Sequence, residues 1–297
     1  MHPGQLVVAV PTVRRLVASQ FPEWSNLRIE AVSSSGTVSA LFRIGDRLVA
    51  RFPLQPGDLE EVRSWIESEA AVARELLGQR RFATPEPVAI GEPCEDFPLP
   101  WSVQSWIPGV TAFEADAAES VGLAEDLVEF IEGVRDIGTR GRTFRGAGRG
   151  GDLRSHDDWM EKCFVQSEGI LDVPRLRDLW QSMRVLPRVD GGDVMNHGDL
   201  IVTNVLVTFG RIAGVLDVGG LGPADPALDL LSAWNLLESG PRGTMRRLLD
   251  SDDVEWARGQ AWAFQQAIGL VWYYVDSNPT MSEIGRRTLD RIVREPL

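Results

Sequence analysis

The segment His197-Gly198-Asp199-Leu200-Ile201-Val202-Thr203-Asn204, with an apolar stretch after it that ends in Asp217-Val218-Gly219, restricts the possible folds of this chain more than any other feature. Val205 to Thr208 and Arg211 to Leu216 read as two short apolar strands, joined by a tight turn at Phe209-Gly210. Closing that hairpin brings Asn204 and Asp217 to its same open end. Two hard oxygen ligands on neighbouring strand ends suit Mg2+, which takes one or two carboxylates and completes its octahedron with water and phosphate oxygens. Asp199 precedes this pair in the loop and stays free to act as a base. Moving a phosphoryl group asks for little more from a protein than a carboxylate facing the acceptor hydroxyl and oxygen ligands for the metal on the nucleotide.

These motifs carry a resemblance. The H-G-D-L-x-x-x-N box of His197 to Asn204 and the D-x-G box of Asp217 to Gly219 resemble the aminoglycoside phosphotransferase family, small-molecule kinases with the bilobal protein-kinase fold. Asp225-Pro226-Ala227-Leu228-Asp229 is similar to that family's D-P-A-x-D segment. The resemblance implies an α+β fold of two lobes around one cleft. A small antiparallel-sheet lobe with one helix, residues 1–105, would grip the nucleotide, and a larger, mainly helical lobe, residues 106–297, would carry catalysis and substrate binding. By the same resemblance Asp199 orients and deprotonates the acceptor hydroxyl, His197 buttresses the loop, Asn204 and Asp217 bind Mg2+, and Asp229 has a supporting structural role. ATP or GTP is the implied donor and an aminoglycoside the first implied acceptor. Family motifs report the transfer chemistry and not the acceptor, so a macrolide, a peptide antibiotic and an amino-alcohol or sugar metabolite stay open. A nucleotide-binding pseudoenzyme is a further alternative, against which the intact trio Asp199, Asn204 and Asp217 argues.

The N-terminal half reads as strands at 27–32, 38–44 and 47–52, with a turn at Gly45-Asp46. Between the first two strands lie Ser34, Ser35, Gly36 and Thr37, where the family places the loop over the nucleotide phosphates; small residues there let backbone N–H groups approach an anion. The single lysine, Lys162, lies far from the strand on which kinases carry their phosphate-binding lysine, and Arg51 stands at that position. The exchange is not conservative, because a guanidinium spreads its charge over a wider fork. A helix is expected from Leu59 to Leu77, capped by Asp58 and stopped by Gly78. Its apolar stripe runs Val62, Ile66, Glu69, Ala73, Leu76, so Glu69 sits on the inner face, and a buried acid needs a partner. Arg51 is the natural one, giving an arginine version of the ion pair that positions phosphates in kinases. Trp101 to Gly109 resembles the family's last small-lobe strand and hinge, which implies adenine contacts from the Ser105 carbonyl and the Ile107 N–H.

Composition narrows the partners. A net charge of −13 argues against nucleic acid and favours cationic small molecules. Neither a signal segment nor a membrane span is expected, because the longest apolar run, Ala261 to Val275, is short and is broken by Gln265-Gln266. Cys94 and Cys163 have no metal spacing, and a cytoplasmic location follows as the default. Beyond the hinge, helical periodicity covers 117–137, 176–183, 254–275 and 282–293. Gly146 to Gly151 formally fits a dinucleotide fingerprint, but no strand precedes it. The adjoining Asp152, His156, Asp157 and Asp158 are candidates to face a substrate, or to cap the helix that begins near Asp157.

Overall fold

The computed structural model describes residues 5–33, 38–78, 81–146, 148–188 and 191–295. Its contacts fall into two compact units, Met1–Leu77 with Ala83–Pro108, and Gly78–Phe82 with Gly109–Leu297. This division falls three residues after the 105/106 boundary expected from sequence, and it assigns Gly78–Phe82 to the second unit.

The first unit holds helices α1 (Val10–Gln20) and α2 (Leu59–Leu76) and strands β1 (Ile29–Val32), β2 (Ser39–Ile44), β3 (Leu48–Pro53), β4 (Pro87–Gly91) and β5 (Trp101–Ser105). The strands form one antiparallel sheet in the order β1-β2-β3-β5-β4. One face alternates Phe42, Ile44, Ala50, Phe52, Trp101 and Val103 into a core that α1 covers with Val13, Leu16 and Val17. Phe52 stacks on Trp101 at 4.8 Å between ring centroids. Gly91 is required beside that indole, since a Cβ there would lie 2.0 Å from Trp101. Helix α1 lies outside the elements expected from sequence; its signal is only Val13, Leu16 and Val17 behind Pro11. Helix α2 matches the expected span to within one residue. The Asp58 carboxylate accepts the Glu60 and Glu61 N–H groups, and Gly78 leaves the helix at φ +71°.

The second unit comprises β6 (Val110–Thr111), α3 (Val121–Asp136), α4 (Asp157–Gln166), α5 (Val173–Met183), β7 (Val194–Asn196), β8 (Val205–Thr208), β9 (Arg211–Val215), β10 (Gly222–Ala224), α6 (Leu231–Leu236), α7 (Ser239–Leu248), α8 (Asp253–Tyr273) and α9 (Pro279–Arg294). Strands β6, β8 and β9 form one small sheet; β7 and β10 form another. The first of these contains the expected hairpin, pivoting at Phe209 and Gly210, both at positive φ. Its outer strand is pinned to α3: the buried Asp126 accepts the Ile212 N–H at 2.8 Å and pairs with Arg211 and Arg81. Helix α8 is buried on every side from Arg258 to Gly269, which is why its periodicity reads as one long apolar run. It packs on α9 so closely that a Cβ on Gly285 would lie 2.7 Å from the Ala267 carbonyl oxygen. Among the described residues no helix is long and apolar enough to cross a membrane.

Candidate active site

The loop between β7 and β8 is held from below by one buried carboxylate. Asp229 accepts the His197 N–H at 2.7 Å on one oxygen and the Gly198 N–H at 2.9 Å on the other. Burial pushes this carboxyl up from its usual range, while the His197 ring and the two backbone donors pull the other way. Its neighbour Asp225 is likewise sealed: Arg258 and the Trp262 indole N–H both reach Oδ2, the latter at 2.9 Å. The D-P-A-x-D segment is thus the floor under the loop. His197, fully buried, takes the Asp199 N–H on Nδ1 at 3.3 Å and has the Leu216 carbonyl 3.0 Å from Nε2, an arrangement that requires the Nε2–H tautomer. The ring therefore ties the Asp199 backbone to the residue preceding Asp217. Gly198 has φ +85°, and a Cβ on it would lie 3.2 Å from the Gly220 carbonyl oxygen, so the tight approach of these two loops needs glycine.

Asp199 emerges from this frame with 35% of its side chain exposed and both oxygens engaged. Oδ1 receives Arg149 Nη2 at 2.7 Å and Gln266 Nε2 at 2.9 Å. Among the described residues Oδ2 receives only Asn204 Nδ2, at 3.2 Å, and the same amide nitrogen donates to the Asp199 carbonyl at 2.9 Å. With its nitrogen turned to Asp199, Asn204 keeps Oδ1 without a hydrogen bond among the described residues. The Leu216 N–H donates to the Asn204 carbonyl at 2.7 Å, which sets Asp217 one residue beyond the partner of Asn204 at the hairpin's open end. Asp217 is exposed and left-handed, at φ 56° and ψ 49°. One carboxamide oxygen and one accessible carboxylate are hard-oxygen donors of the kind that fits Mg2+ carrying phosphates and water.

The other expected site residues fall as follows. Arg51 Nη1 lies 3.4 Å from Glu69 Oε2, each side chain 18% exposed, so the strand-to-helix pair of the first unit is formed. Ser34, Ser35, Gly36 and Thr37 lie outside the described residues. Ser105 ends β5 opposite Leu48, and its N–H bonds the Glu86 carbonyl while the Trp106 N–H bonds the Arg47 carbonyl. That alternation turns the Ser105 carbonyl away from Arg47, and Ile107, two residues on, is buried. Asp152 caps a turn of 3-10 helix through the Arg154 N–H. Asp157 pairs with Arg184 and accepts the Trp180 indole N–H at 3.1 Å; the Arg184 contact first, opposed in part by burial, holds its carboxyl below the usual range. With Asp158, Glu161, Phe164, Arg177 and Arg184 it lines a surface recess of about 350 Å³ to which Asp199 does not contribute. His156 is buried, edge-on to Trp262 and 3.2 Å from Gln265 Nε2.

Two residues at the base were not anticipated. Arg149 lies within the glycine run Gly146 to Gly151, which is no dinucleotide loop. Gly150 has φ +112°, and a Cβ there would lie 2.6 Å from that of Ala224; its carbonyl accepts the Asp225 N–H at 2.8 Å. The glycines let this loop press against the D-P-A-x-D floor, and Arg149 is carried to Asp199. Gln266 belongs to the pair that breaks the apolar run of α8. An amide on a helix buried all round demands a partner, and that demand was its sequence signal.

Comparison with known proteins bears on the fold and the family. An aminoglycoside 3'-phosphotransferase of Escherichia coli is 25% identical over 163 residues, 52% of this chain and 59% of that protein, so the chain spans about three-fifths of the curated relative it matches. Among solved structures, the GDP complex of a mutant aminoglycoside 2'-phosphotransferase-IIIa superposes with a TM-score of 0.74 at 17% identity, covering 96% of this chain and 98% of that one. The macrolide 2'-phosphotransferase MphH of Brachybacterium faecium superposes with a TM-score of 0.56 at 18% identity, covering 91% and 92%. These likenesses show the fold. The sequence model of the phosphotransferase enzyme family, APH, matches residues 28–262, and the chain belongs to that family.

Proposed function

We propose that this chain is a Mg2+-dependent O-phosphotransferase that moves the terminal phosphoryl group of ATP or GTP to a hydroxyl of a small molecule, in the cytoplasm. The observation that carries the reading is the Asp199 carboxylate, fixed on Oδ1 by two donors and left with one long bond on Oδ2. The acceptor oxygen attacks the terminal phosphorus, the bond from phosphorus to the bridging oxygen of the nucleoside diphosphate breaks, and the acceptor proton passes to Asp199 Oδ2. Asn204 and Asp217 hold Mg2+, which neutralises charge on the donor phosphates when bound. Arg51, steadied by Glu69, contacts donor phosphates, and the Ser105 carbonyl with the Ile107 N–H binds the base. Asp229 and His197 act through the loop they hold.

The names of the relatives make an aminoglycoside the first acceptor to assay and a macrolide the second. One observation favours another class: an arginine occupies the base, where a polycation would bring like charge. An uncharged hydroxylated drug or metabolite is therefore the second reading. The test is nucleoside-diphosphate release with Mg2+ and ATP or GTP across aminoglycosides, macrolides, peptide antibiotics, amino alcohols and neutral sugars. Stimulation by one class that Asp199→Asn abolishes supports the assignment; nucleotide binding without stimulation by any class favours a pseudoenzyme.

A further inference from the structure

Charge at the level of the whole chain and charge at the base point in opposite directions. The chain is strongly acidic, yet the Asp199 carboxylate is matched by the Arg149 guanidinium at 2.7 Å. Gln266 and Gln265 are amides, and the pKa of His156 is lowered by burial first and by Arg149 second. The acids nearest in sequence are committed elsewhere, Asp152 to a helix cap and Asp157 to Arg184. A second feature points to a ligand. Gln266 is 93% buried and Gln265 94%, yet the Oε1 atom of each lacks a hydrogen-bond partner among the described residues, as does Arg149 Nε. Buried polar atoms of native proteins are almost always satisfied, and here one orphaned acceptor and one orphaned donor belong to Gln266 and Arg149, the two residues that hold Oδ1 of the partly exposed Asp199 carboxylate.

We propose that Arg149 and Gln266 are specificity-determining residues of the acceptor site, and that the site takes a hydroxyl compound with an uncharged oxygen function beside the reacting hydroxyl, not an ammonium group. The proposal rests on the phosphotransferase reading for the role of Asp199. The acceptor hydroxyl donates to Asp199 Oδ2, the oxygen with the single long bond. Its neighbouring oxygen accepts from the Arg149 guanidinium, and a further hydroxyl donates to Gln266 Oε1. An ammonium at the same place would face Arg149 across a partly buried site, where like charges are poorly screened.

The test compares kanamycin with its fully N-acetylated derivative, which keeps the hydroxyls and loses the charges. Binding of each to the full chain with Mg2+ and ADP is followed by ligand-observed NMR, for the wild type and for Arg149→Lys, Arg149→Gln and Arg149→Glu. The wild type and Arg149→Lys should bind the neutral compound at least about tenfold more tightly; Arg149→Gln should level the two, and Arg149→Glu should invert the order. Equal binding by the wild type, preference for kanamycin, no binding of either at millimolar concentration, or an unchanged ratio in Arg149→Gln overturns the proposal. Should Arg149→Glu fail to fold, the Arg149→Gln and Arg149→Lys pair still decides. Acceptor-stimulated nucleotide turnover, measured separately with Asp199→Asn, reports on the phosphotransferase reading alone.

Discussion

Gly198→Ala and Gly138→Ala form a matched pair that separates a backbone penalty from a functional one. Both glycines are left-handed, at φ +85° and +70°. Alanine in that region costs about 1–2 kcal/mol at either place. Around Gly138 a new Cβ meets nothing within 4 Å, whereas at Gly198 it lies 3.2 Å from the Gly220 carbonyl oxygen. Gly198→Ala must therefore also move one loop by a few tenths of an ångström, in a segment whose next residue is Asp199. Thermal unfolding should fall by roughly 2–6 °C in both variants. Turnover, read as nucleoside-diphosphate release well below either midpoint, should stay near wild type in Gly138→Ala and fall about tenfold or more in Gly198→Ala, since small misplacements of a catalytic group are costly. Equal turnover in the two variants would refute the claim that the loop between β7 and β8 carries the chemistry.

Other outcomes follow from the same contacts. Arg258→Ala leaves the buried Asp225 carboxylate without its counter-charge and should cost about 3–5 kcal/mol in denaturant unfolding, far more than Arg294→Ala at an exposed pair. Glu69→Ala should raise the nucleotide KM about tenfold by removing the carboxylate that steadies Arg51, while Glu67→Ala, on the polar face of α2, should leave it unchanged. The pKa of His156 is lowered in the folded state, first by burial and then by Arg149, so the stability linked to it is present above the unfolded value of 6.5 and is lost as pH falls below it. The wild type should therefore lose up to about 1.4 kcal/mol per pH unit there relative to His156→Gln, visible as diverging thermal midpoints between pH 7 and 5.

The loop and hairpin of the candidate site were legible because their parts are local in sequence. His197 to Asn204 and the hairpin to Asp217 lie within one short stretch, and a hairpin needs only its own turn to bring Asn204 and Asp217 together. The Arg51–Glu69 pair was legible for another reason: an acid on the apolar stripe of α2 had to find a cation. Arg149 was hidden because its position depends on a long-range approach that the glycines of its loop permit, and nothing in Gly146 to Gly151 names the segment it packs against. Gln266 announced itself as an amide inside a buried helix, but its partner lies 67 residues earlier in the chain. For Asp152 and Asp157 the pattern left a substrate contact and a helix cap both open, and their hydrogen bonds cap a turn and close an ion pair. Helix α1 was missed because three apolar residues behind a proline are too short a pattern to separate from a loop.

The most direct test of the account is its division of labour between Asp199 and the Asn204–Asp217 pair. Nucleotide affinity as a function of Mg2+ and acceptor-dependent nucleoside-diphosphate release would be measured side by side for the wild type, Asp199→Asn and Asp217→Asn. The account predicts that Asp199→Asn keeps the Mg2+-dependent affinity while losing a factor of about 10²–10⁴ in turnover, and that Asp217→Asn loses the Mg2+ dependence itself. Turnover retained by Asp199→Asn, or Mg2+-dependent affinity unaltered in Asp217→Asn, would contradict it.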